Sequence, residues 1–392
     1  MADERAALAA EAFIYGFPLV FNLTQVGRFA RSGIGEVPAT PFNHFGHASE
    51  LAGPEATFVS INNDTIYSIA QVDLSVGPVR LDVPDTAGRY YVLQFVDAWT
   101  NNFAYVGHRA TGTAAGSFLL VSRGDTGVPD HGIPVIRFPT AVGTIVGRWA
   151  VSGEADLPAV RALQSGLVLS PVTDHPARGL PEPDASVPQD LSFFEEMRVW
   201  MQAFPPAQRD LDSLTYHIFD FNLDFFEVGA LDDPKWKTQT EPQDRYLLRA
   251  GAARGGLWGN HGYEAAYAMV YQDADGAQLN GGSRYQLRFD QTPPVGAFWS
   301  VTMYDTPDFF LVANPIGRYS IGDRTPGLHI ADDGSLTIFM QHDQPQRPGP
   351  RANWLPAPDG DFRPILRMYE PSEAVFDGRY ELPPITKSPD LA

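Results

Sequence analysis

The sequence predicts a mainly β protein with helical segments, built from more than one domain. Its 392 residues exceed what one hydrophobic core usually organises, so two or three domains are expected. Hydrophobic residues make up 44% of the chain and charged residues 19%, a balance that allows a buried core. The 36 glycines and 34 prolines punctuate turns, and frequent turns favour short strands over long helices.

The first segment, residues 3 to about 30, is predicted to be helical because Ala6–Ala12 consists of strong helix formers. Gly16 and Pro18 are expected to interrupt this helix, since proline removes a backbone hydrogen bond in a helix interior. A second helical piece is then expected over Gln25–Phe29.

Short strands are predicted from Phe58 to about Trp149. The best segments either alternate apolar with polar residues or combine aromatic with β-branched residues. They are Val79–Val83, Tyr90–Val96, Ser117–Val121 and Ile133–Phe138. Several short strands separated by glycine and proline clusters are typical of a β-sandwich.

A proline-rich linker is predicted over residues 171–190, followed by a block of helices. The predicted helices are Leu191–Phe204, Pro206 to about Phe219, Arg245–Ala253 and Tyr263–Tyr271. Strands are predicted again after Ser283, and the best are Tyr285–Phe289, Phe298–Tyr304, Phe309–Val312 and Leu336–Met340.

The two predicted β segments resemble each other. Val79–Asp97 and Leu287–Asp305 align without a gap at a constant offset of 208 residues, as from Gly88 to Gly296. In both, a strand meets a glycine turn and an aromatic strand then ends on aspartate. Generic hairpins share some of these features, but gapless spacing over the whole stretch favours an internal duplication. We therefore predict that the two strands occupy equivalent positions in two related units.

Composition also excludes several functions. The formal net charge of −19 repels phosphate backbones and anionic lipids, so neither nucleic acid nor membrane binding is expected. The chain has no cysteine, which excludes disulfides and thiolate metal sites. The charged start of the sequence lacks the apolar core of a signal peptide, and no run of about 18 apolar residues is present. A cytoplasmic protein is therefore expected.

Several motifs resemble the bacterial DUF1254/DUF1214 family over roughly residues 8–385. In the first half these are Phe13–Leu19, Asn62–Ser68, Gly88–Tyr91 and Asp97–Phe103. In the second half they are Tyr304–Asp305, Arg318–Arg324, Asp333–Ser335, Asn353–Pro358 and Leu366–Tyr369.

The resemblance implies an immunoglobulin-like β-sandwich, a helical domain and then a C-terminal jelly-roll-like β-sandwich. Combined with the predicted elements, it gives a domain plan: an N-terminal helical segment and loop (1–56), a DUF1254-like sandwich (57–190), a helical domain (191–280) and a DUF1214-like sandwich with a C-terminal tail (281–392). The resemblance carries no catalytic residue with it.

The first candidate site is a polar run after the apolar stretch that starts at Phe58. Asn62, Asn63 and Asp64, with Tyr67 nearby, offer amide, carboxylate and hydroxyl groups that suit a hydroxyl-rich ligand. The alternative is an Asx-turn, in which Asn and Asp side chains bind their own backbone.

The second candidate site lies at the predicted strand end beside Asp97. An aspartate near aromatic residues can act as a general acid or base, and Trp99, Asn101 and Asn102 could contact a ligand. Asp305 holds the equivalent place in the second β segment, so a pair of carboxylates could serve one cleft. The alternative is that Asp97 only caps a turn.

Other charged and histidine residues carry weaker signals. Arg324 belongs to a cluster that could clamp an anion, although such clusters more often pin a loop. His44 and His47 have no adjacent third ligand, so no metal is expected, and no organic cofactor is expected either. His217 and His261 mark a fallback site in the helical domain.

The function expected from these observations is an enzyme of hydrolase or lyase type that acts on a small polar or ring-containing metabolite. Asp97, Asp64 and Asp305 are the predicted acid/base residues. The predicted substrate-binding residues are Asn62, Asn63, Tyr67, Trp99, Asn101, Asn102 and Arg324. The alternatives are a non-catalytic protein that binds carbohydrate or another small ligand, and a structural assembly protein. The expected partner is a small molecule, with a homo-oligomer left open.

Overall fold

The protein is mainly β with some helices, as the sequence predicts. The computed structural model describes residues 2–56, 59–125, 132–206 and 242–388. Its described helices are α1 Ala2–Ser32, α2 Leu157–Ser165, α3 Ser192–Ala203, α4 Pro242–Gly256, α5 Pro348–Ala352 and α6 Glu373–Phe376. The predicted helix from Pro206 to Phe219, with His217, lies outside the described residues.

Two sheets form the first β unit. Its strands are β1 Phe45–His47, β2 Thr65–Asp73, β3 Val79–Val83, β4 Tyr91–Asp97, β5 Asn102–Gly107, β6 Gly116–Ser122, β7 Val135–Phe138, β8 Val142–Ala150 and β9 Val168–Pro171. Sheet 1 has the order β1-β2-β8-β4-β5, and sheet 2 has the order β7-β6-β3-β9. Ile66 and Leu93 of sheet 1 share one buried core with Leu81 and Leu120 of sheet 2.

Two further sheets form the second β unit. Its strands are β10 Ala265–Met269, β11 Tyr285–Phe289, β12 Val295–Asp305, β13 Ser320–Gly322, β14 Leu336–Gln341, β15 Trp354–Pro356, β16 Phe362–Pro371 and β17 Thr386–Lys387. Sheet 3 has the order β10-β16-β12-β13, and sheet 4 has the order β15-β14-β11-β17. Their core joins Val301 and Leu366 of sheet 3 to Leu287 and Ile338 of sheet 4.

The second unit repeats the first strand by strand. Strands β2 to β9 follow each other along the chain and pair in the same pattern as β10 to β17, including the parallel pairs β6–β7 and β14–β15. The registers agree as well, since Tyr67 lies opposite Arg148 between β2 and β8, and Tyr267 lies opposite Arg367 between β10 and β16. Strands β4 and β12 therefore hold equivalent positions, as the 208-residue offset predicts.

The two units meet through equivalent faces of sheets 1 and 3. Tyr90 and Ala150 of the first unit are buried in one cluster with Ala265, Phe298 and Tyr369 of the second. Tyr90 and Phe298 occupy the same place in the aligned strands, and their rings touch edge to face at 5.4 Å between centroids. Contact between equivalent residues is typical of a two-fold arrangement, in which one patch packs against its own copy.

Four predicted elements are wrong, one of them the strand Phe309–Val312, where only Leu311 forms an isolated bridge. Helix α1 continues through Gly16 and Pro18 instead of breaking. Its apolar side chains, among them Leu19 and Leu23, pack in a core with Trp99, and this burial offsets the cost of the internal proline.

The predicted helix Tyr263–Tyr271 is instead strand β10, because β16 offers it an antiparallel partner. The predicted apolar strand before Asn62 is also wrong. Ser60 lies in a turn with φ of 53°, and the first long strand begins only at Thr65.

Helix α1 also bears on the membrane question. By length and composition, the part Glu4–Ser32 is apolar enough to cross a membrane. A core helix of a soluble protein and an N-terminal signal sequence share this property, so it is weak evidence. Scattered polar residues interrupt the apolar run, so the sequence contains no continuous stretch of about 18 apolar residues.

The repeat predicts matched effects of two glycine substitutions. Gly107 ends β5 and Gly322 ends β13, and a Cβ at either position would overlap the carbonyl oxygen of its neighbour strand, at Tyr91 and Trp299 respectively. Gly107→Ala and Gly322→Ala should each lower the free energy of unfolding by about 1–3 kcal/mol. Urea unfolding measures this.

The control is Gly124→Ala, at a glycine with nothing within 4 Å of the added Cβ. We expect it to leave stability within about 0.5 kcal/mol of wild type. A large loss at Gly107 and none at Gly322 would contradict the equivalence of the two units at this edge.

Candidate functional site

The predicted acid Asp97 organises the loop after β4. Its carboxylate accepts the backbone N–H groups of Trp99 and Asn101, both at 2.9 Å, and the Asn101 side-chain amide at 2.8 Å. Asp97 is fully buried, and Asn22 of α1 donates to its backbone carbonyl. These contacts are those of a turn-capping aspartate.

The neighbours of Asp97 fasten the helices to sheet 1. Trp99 is buried and donates its indole N–H to the Phe204 carbonyl at 2.7 Å. Arg249 of α4 donates to the side-chain oxygen of Asn101, and Asn102 donates to the Gly259 carbonyl. This group of predicted ligand-binding residues is thus engaged in contacts within the protein.

Asp64 and Asp97 lie at opposite ends of the strands of sheet 1. Asp64 precedes Thr65, which pairs with Ala150 at the end of β8, whereas Asp97 pairs with Gly143 near the start of β8. At about 3.3 Å per residue, the two positions are separated by roughly 20–25 Å along β8. The predicted convergence of the two polar segments in one pocket is therefore wrong.

Asp305 does not join either group through its carboxylate. Its Oδ1 accepts the backbone N–H of Phe310 at 2.7 Å, which closes the loop after β12. Arg324 does reach the first candidate segment, since it donates to the backbone carbonyl of Asp64 at 3.3 Å.

The Asn62–Asp64 turn has the alternative form considered from the sequence. Asn62 Oδ1 accepts the Asp64 N–H at 2.6 Å, which makes an Asx-turn. The Asn62 amide also donates to the Tyr369 hydroxyl at 2.6 Å, and Asn63 donates to the Ala52 carbonyl. The turn therefore connects the first unit to the second.

A pair of buried arginines lies between sheets 1 and 3. Arg148 donates to Gln94 Oε1 at 2.9 Å, and its guanidinium carbon lies 5.4 Å from the centre of the Tyr67 ring. In the second unit, Arg367 donates to Thr302 Oγ1 at 3.1 Å and lies 5.6 Å from the Tyr267 ring. The same arginine–tyrosine pair thus occurs once in each unit.

Each unit also supplies one acid to the other. Asp64 and Glu264 directly precede the equivalent strands β2 and β10. Asp64 Oδ2 accepts the Ser300 hydroxyl of sheet 3 at 2.6 Å. Glu264 Oε1 accepts the Tyr90 hydroxyl of sheet 1 at 2.9 Å. The acids are exchanged across the interface, in agreement with the two-fold arrangement.

The environment of Glu264 favours its protonated form. Burial removes water from its carboxylate and, together with the nearby Glu370, raises the pKa of Glu264 to about 7, against the hydrogen bond from Tyr90, which lowers it. A carboxyl group with a pKa near neutrality can both donate and accept a proton at physiological pH.

A histidine–glutamate pair lies beside Glu264. His108 Nδ1 is 2.7 Å from Glu370 Oε1, and the Glu370 N–H donates to the Glu264 carbonyl. The His108 side chain is 30% exposed and the Glu370 side chain 8%. Glu370 has a φ of 54°, a conformation that non-glycine residues rarely adopt and that often marks functional sites.

We call His108, Tyr90, Glu264 and Glu370 the acid cluster. It is not recognisable in the sequence, because His108 and Glu370 lie 262 positions apart, with His108 directly after β5 and Glu370 within β16. Only the placement of Glu264 opposite Asp64 in the repeat could have indicated one of its members.

The structure gives no support for a metal at the histidines. His44 Nδ1 contacts the Phe42 carbonyl and His47 Nδ1 contacts the Ser68 hydroxyl. Among the described residues, no three His, Asp or Glu side chains are grouped as metal ligands.

Two protein-family models match the chain. The model of the family "Protein of unknown function (DUF1254)" matches residues 42–171. The model of "Protein of unknown function (DUF1214)" matches residues 264–373. The chain is a DUF1254/DUF1214 domain-containing protein. The DUF1254 match spans most of the first β unit, and the DUF1214 match begins at Glu264 and contains Glu370.

One solved structure shares the fold of this DUF1254/DUF1214 protein. The VPA0106 protein from Vibrio parahaemolyticus is similar over 97% of this chain and 99% of its own, with 23% identity and a TM-score of 0.73. The alignment with a putative uncharacterized protein from Burkholderia cenocepacia covers 97% of this chain and 88% of that protein, with 12% identity and a TM-score of 0.45. No curated protein matches the chain.

The raised pKa of Glu264 predicts how the stability of the DUF1254/DUF1214 protein depends on pH. The unfolded carboxyl loses its proton near pH 4.5, while the folded one keeps it until about pH 7. The unfolded state is therefore favoured increasingly as pH rises between these values. Relative to Glu264→Gln, the wild-type free energy of unfolding should fall by on the order of 2–3 kcal/mol from pH 5 to pH 8.

Urea unfolding at a series of pH values measures this difference. Glu154→Gln, at an exposed glutamate, is the matched control and should follow wild type. A constant difference between wild type and Glu264→Gln across the range would show that burial does not hold the Glu264 proton.

Proposed function

We propose that the protein is an enzyme of hydrolase or lyase type that transfers protons to and from a small polar metabolite at the acid cluster. The observation that carries the proposal is the 2.7 Å contact of His108 with the buried Glu370 next to Glu264. A histidine that is partly exposed and held by a buried carboxylate is the usual form of a general base in enzymes.

The three ionisable side chains have different roles in this proposal. Glu370 holds the His108 ring and its tautomer, so that the other ring nitrogen faces the exposed side as a base. Glu264, protonated near neutral pH, supplies a proton to the leaving group. Tyr90 donates a hydrogen bond to Glu264 and so orients it. A base and an acid in one place suit elimination, and they also suit attack by an activated water.

The proposal therefore assigns the acid/base role to the acid cluster and not to Asp64, Asp97 and Asp305, the aspartates predicted from the sequence. Asp97 and Asp305 accept backbone N–H groups of their own loops, and these contacts support a positioning role. Asp64, buried against Ser300, remains a member of the same interface but carries no histidine beside it.

A ring-containing substrate is supported by the aromatic surface next to Glu264. Tyr263 directly precedes Glu264 and stacks on the His261 ring at 4.9 Å between centroids. Arg109 lies 5.3 Å from the centre of the same tyrosine ring. The same exposed stack favours a second candidate function, binding of a carbohydrate or another small ring without turnover.

We also propose that each β unit is a sandwich and that both sandwiches have one common topology, in place of an immunoglobulin-like type in the DUF1254 half and a jelly-roll-like type in the DUF1214 half. The core shared by two sheets within each unit supports a sandwich. The identical strand order of the two units favours one common ancestor for both.

The proposal predicts that His108→Gln and Glu370→Gln lower turnover by about 100-fold or more, since general base catalysis contributes about that much. Turnover is measured by mass spectrometry on a panel of small esters, lactones, glycosides and hydroxy acids. His44→Gln, at a histidine whose Nδ1 contacts the Phe42 carbonyl, is the matched control and should keep full activity.

Circular dichroism and thermal unfolding establish that each variant is folded. Binding of a panel compound without turnover would favour the second candidate. Turnover that persists in folded His108→Gln would remove the acid cluster from the mechanism.

A further inference from the structure

Comparison of the two β units shows one buried arginine, Arg363, that has no counterpart in the first unit. Arg363 lies opposite Tyr304 between β16 and β12. The aligned position in the first unit, opposite Val96 between β8 and β4, is Thr144. Thr144 is buried, and its hydroxyl donates to Gln71 Oε1 at 2.6 Å. The second unit therefore places a guanidinium where its copy has a small neutral side chain.

Arg363 is buried without a carboxylate. Its exposure is 4%, and among the described residues no Asp or Glu oxygen lies within 4 Å of its guanidinium. A buried charge is costly unless a counter-charge and hydrogen bonds compensate it. An arginine retained in such a place needs another explanation than packing.

The contacts of Arg363 leave part of its guanidinium unused. Nη1 donates to the Tyr271 hydroxyl at 2.6 Å, and Nη2 donates to the Ser60 hydroxyl. The Phe309 ring lies 3.9 Å from the guanidinium carbon. Nε is buried and has no hydrogen-bond partner among the residues that the structure describes. Nε and Nη2 form one edge of the guanidinium, the edge that binds a carboxylate or phosphate with two parallel hydrogen bonds.

A second arginine reaches the same serine. Arg367 Nη2 donates to the Ser60 carbonyl at 2.8 Å, so both guanidinium groups lie around one residue. Asp64 is the acid whose charge acts on Arg367, and it already accepts the Ser300 hydroxyl at 2.6 Å. Its single negative charge faces Arg367 and also Arg324, which donates to its backbone carbonyl. Positive charge is therefore in excess around Ser60.

We propose that Arg363 and Arg367 form a binding site for a small anion that carries carboxylate or phosphoryl oxygens. The anion takes the Nε–Nη2 edge of Arg363 and displaces the Ser60 hydroxyl from Nη2. This site is separate from the acid cluster. Arg363 lies near the start of β16 and Glu370 near its end, which corresponds to about 23 Å along the strand.

A purely structural role is the competing explanation. Ser60 and Phe309 both have positive φ, at 53° and 59°, and the Ser60 N–H donates to the Phe309 carbonyl. Arg363 touches both residues and could serve only to hold these two turns together. In that case an anion would gain nothing from the site.

The experiment is calorimetric titration of the full-length protein with inorganic phosphate and, separately, with succinate, at constant ionic strength set by sodium chloride. We expect at least one of the two to bind saturably at one site. Arg363→Gln should weaken that binding at least tenfold. The phosphate and carboxylate arms distinguish the two kinds of anion.

Arg288→Gln, at an exposed arginine of sheet 4, is the charge-matched control and should bind as wild type does. Arg363→Lys keeps the charge but loses the paired edge, and it should bind more weakly than wild type while supporting the turns. Equal binding by wild type and folded Arg363→Gln would overturn the proposal. If neither Arg363 variant folds, wild type alone decides, and a lack of saturable binding of both anions overturns it.

Discussion

The structure depends on the contact between sheets 1 and 3, where each β unit lends one buried acid to the other. Asp64 accepts the Ser300 hydroxyl and Glu264 accepts the Tyr90 hydroxyl, so each carboxylate satisfies a group of the opposite unit. Buried polar groups without a partner are costly, so these exchanges fix the register between the two units. The helices pack at the opposite end of the sheet 1 strands, against the loop that Asp97 stabilises.

The repeated strand pattern accounts for the symmetric part of this contact. Residue differences between the two units account for its asymmetric part. Arg148 and Arg367 repeat each other in register and in their contact with a tyrosine. By contrast, the His108–Glu370 pair occurs beside Glu264, and the corresponding surroundings of Asp64 hold Arg324. The contacts that the two units share stabilise both ends of the interface equally, whereas a single substrate site would occupy only one end. The features that break the repeat are therefore the ones on which we base the proposed acid cluster and anion site.

The sequence predicted the fold where information was local. The aromatic strands and their glycine turns gave the correct position of β4 and β12, because alternation and turn residues lie within a few positions. It failed where tertiary contacts decided. Tyr263–Tyr271 became a strand because β16 pairs with it, and α1 continued through Pro18 because its apolar face is buried.

The site was harder to predict for the same reason. Asp97 has the residue type of a catalytic acid, but only the structure reveals that its oxygens are occupied by its own loop. His108 and Glu370 have no shared motif, and their 2.7 Å contact exists only because two distant strand ends meet at the interface.

The central claim is that the two β units form one cooperative body through the exchanged acids. Scanning calorimetry of wild type and Asp64→Asn tests it most directly. We expect a single unfolding transition in wild type, with agreement between the calorimetric and van't Hoff enthalpies, and a lower midpoint for the whole transition in Asp64→Asn. Two resolved transitions in wild type, with only one or neither moved by Asp64→Asn, would contradict the claim.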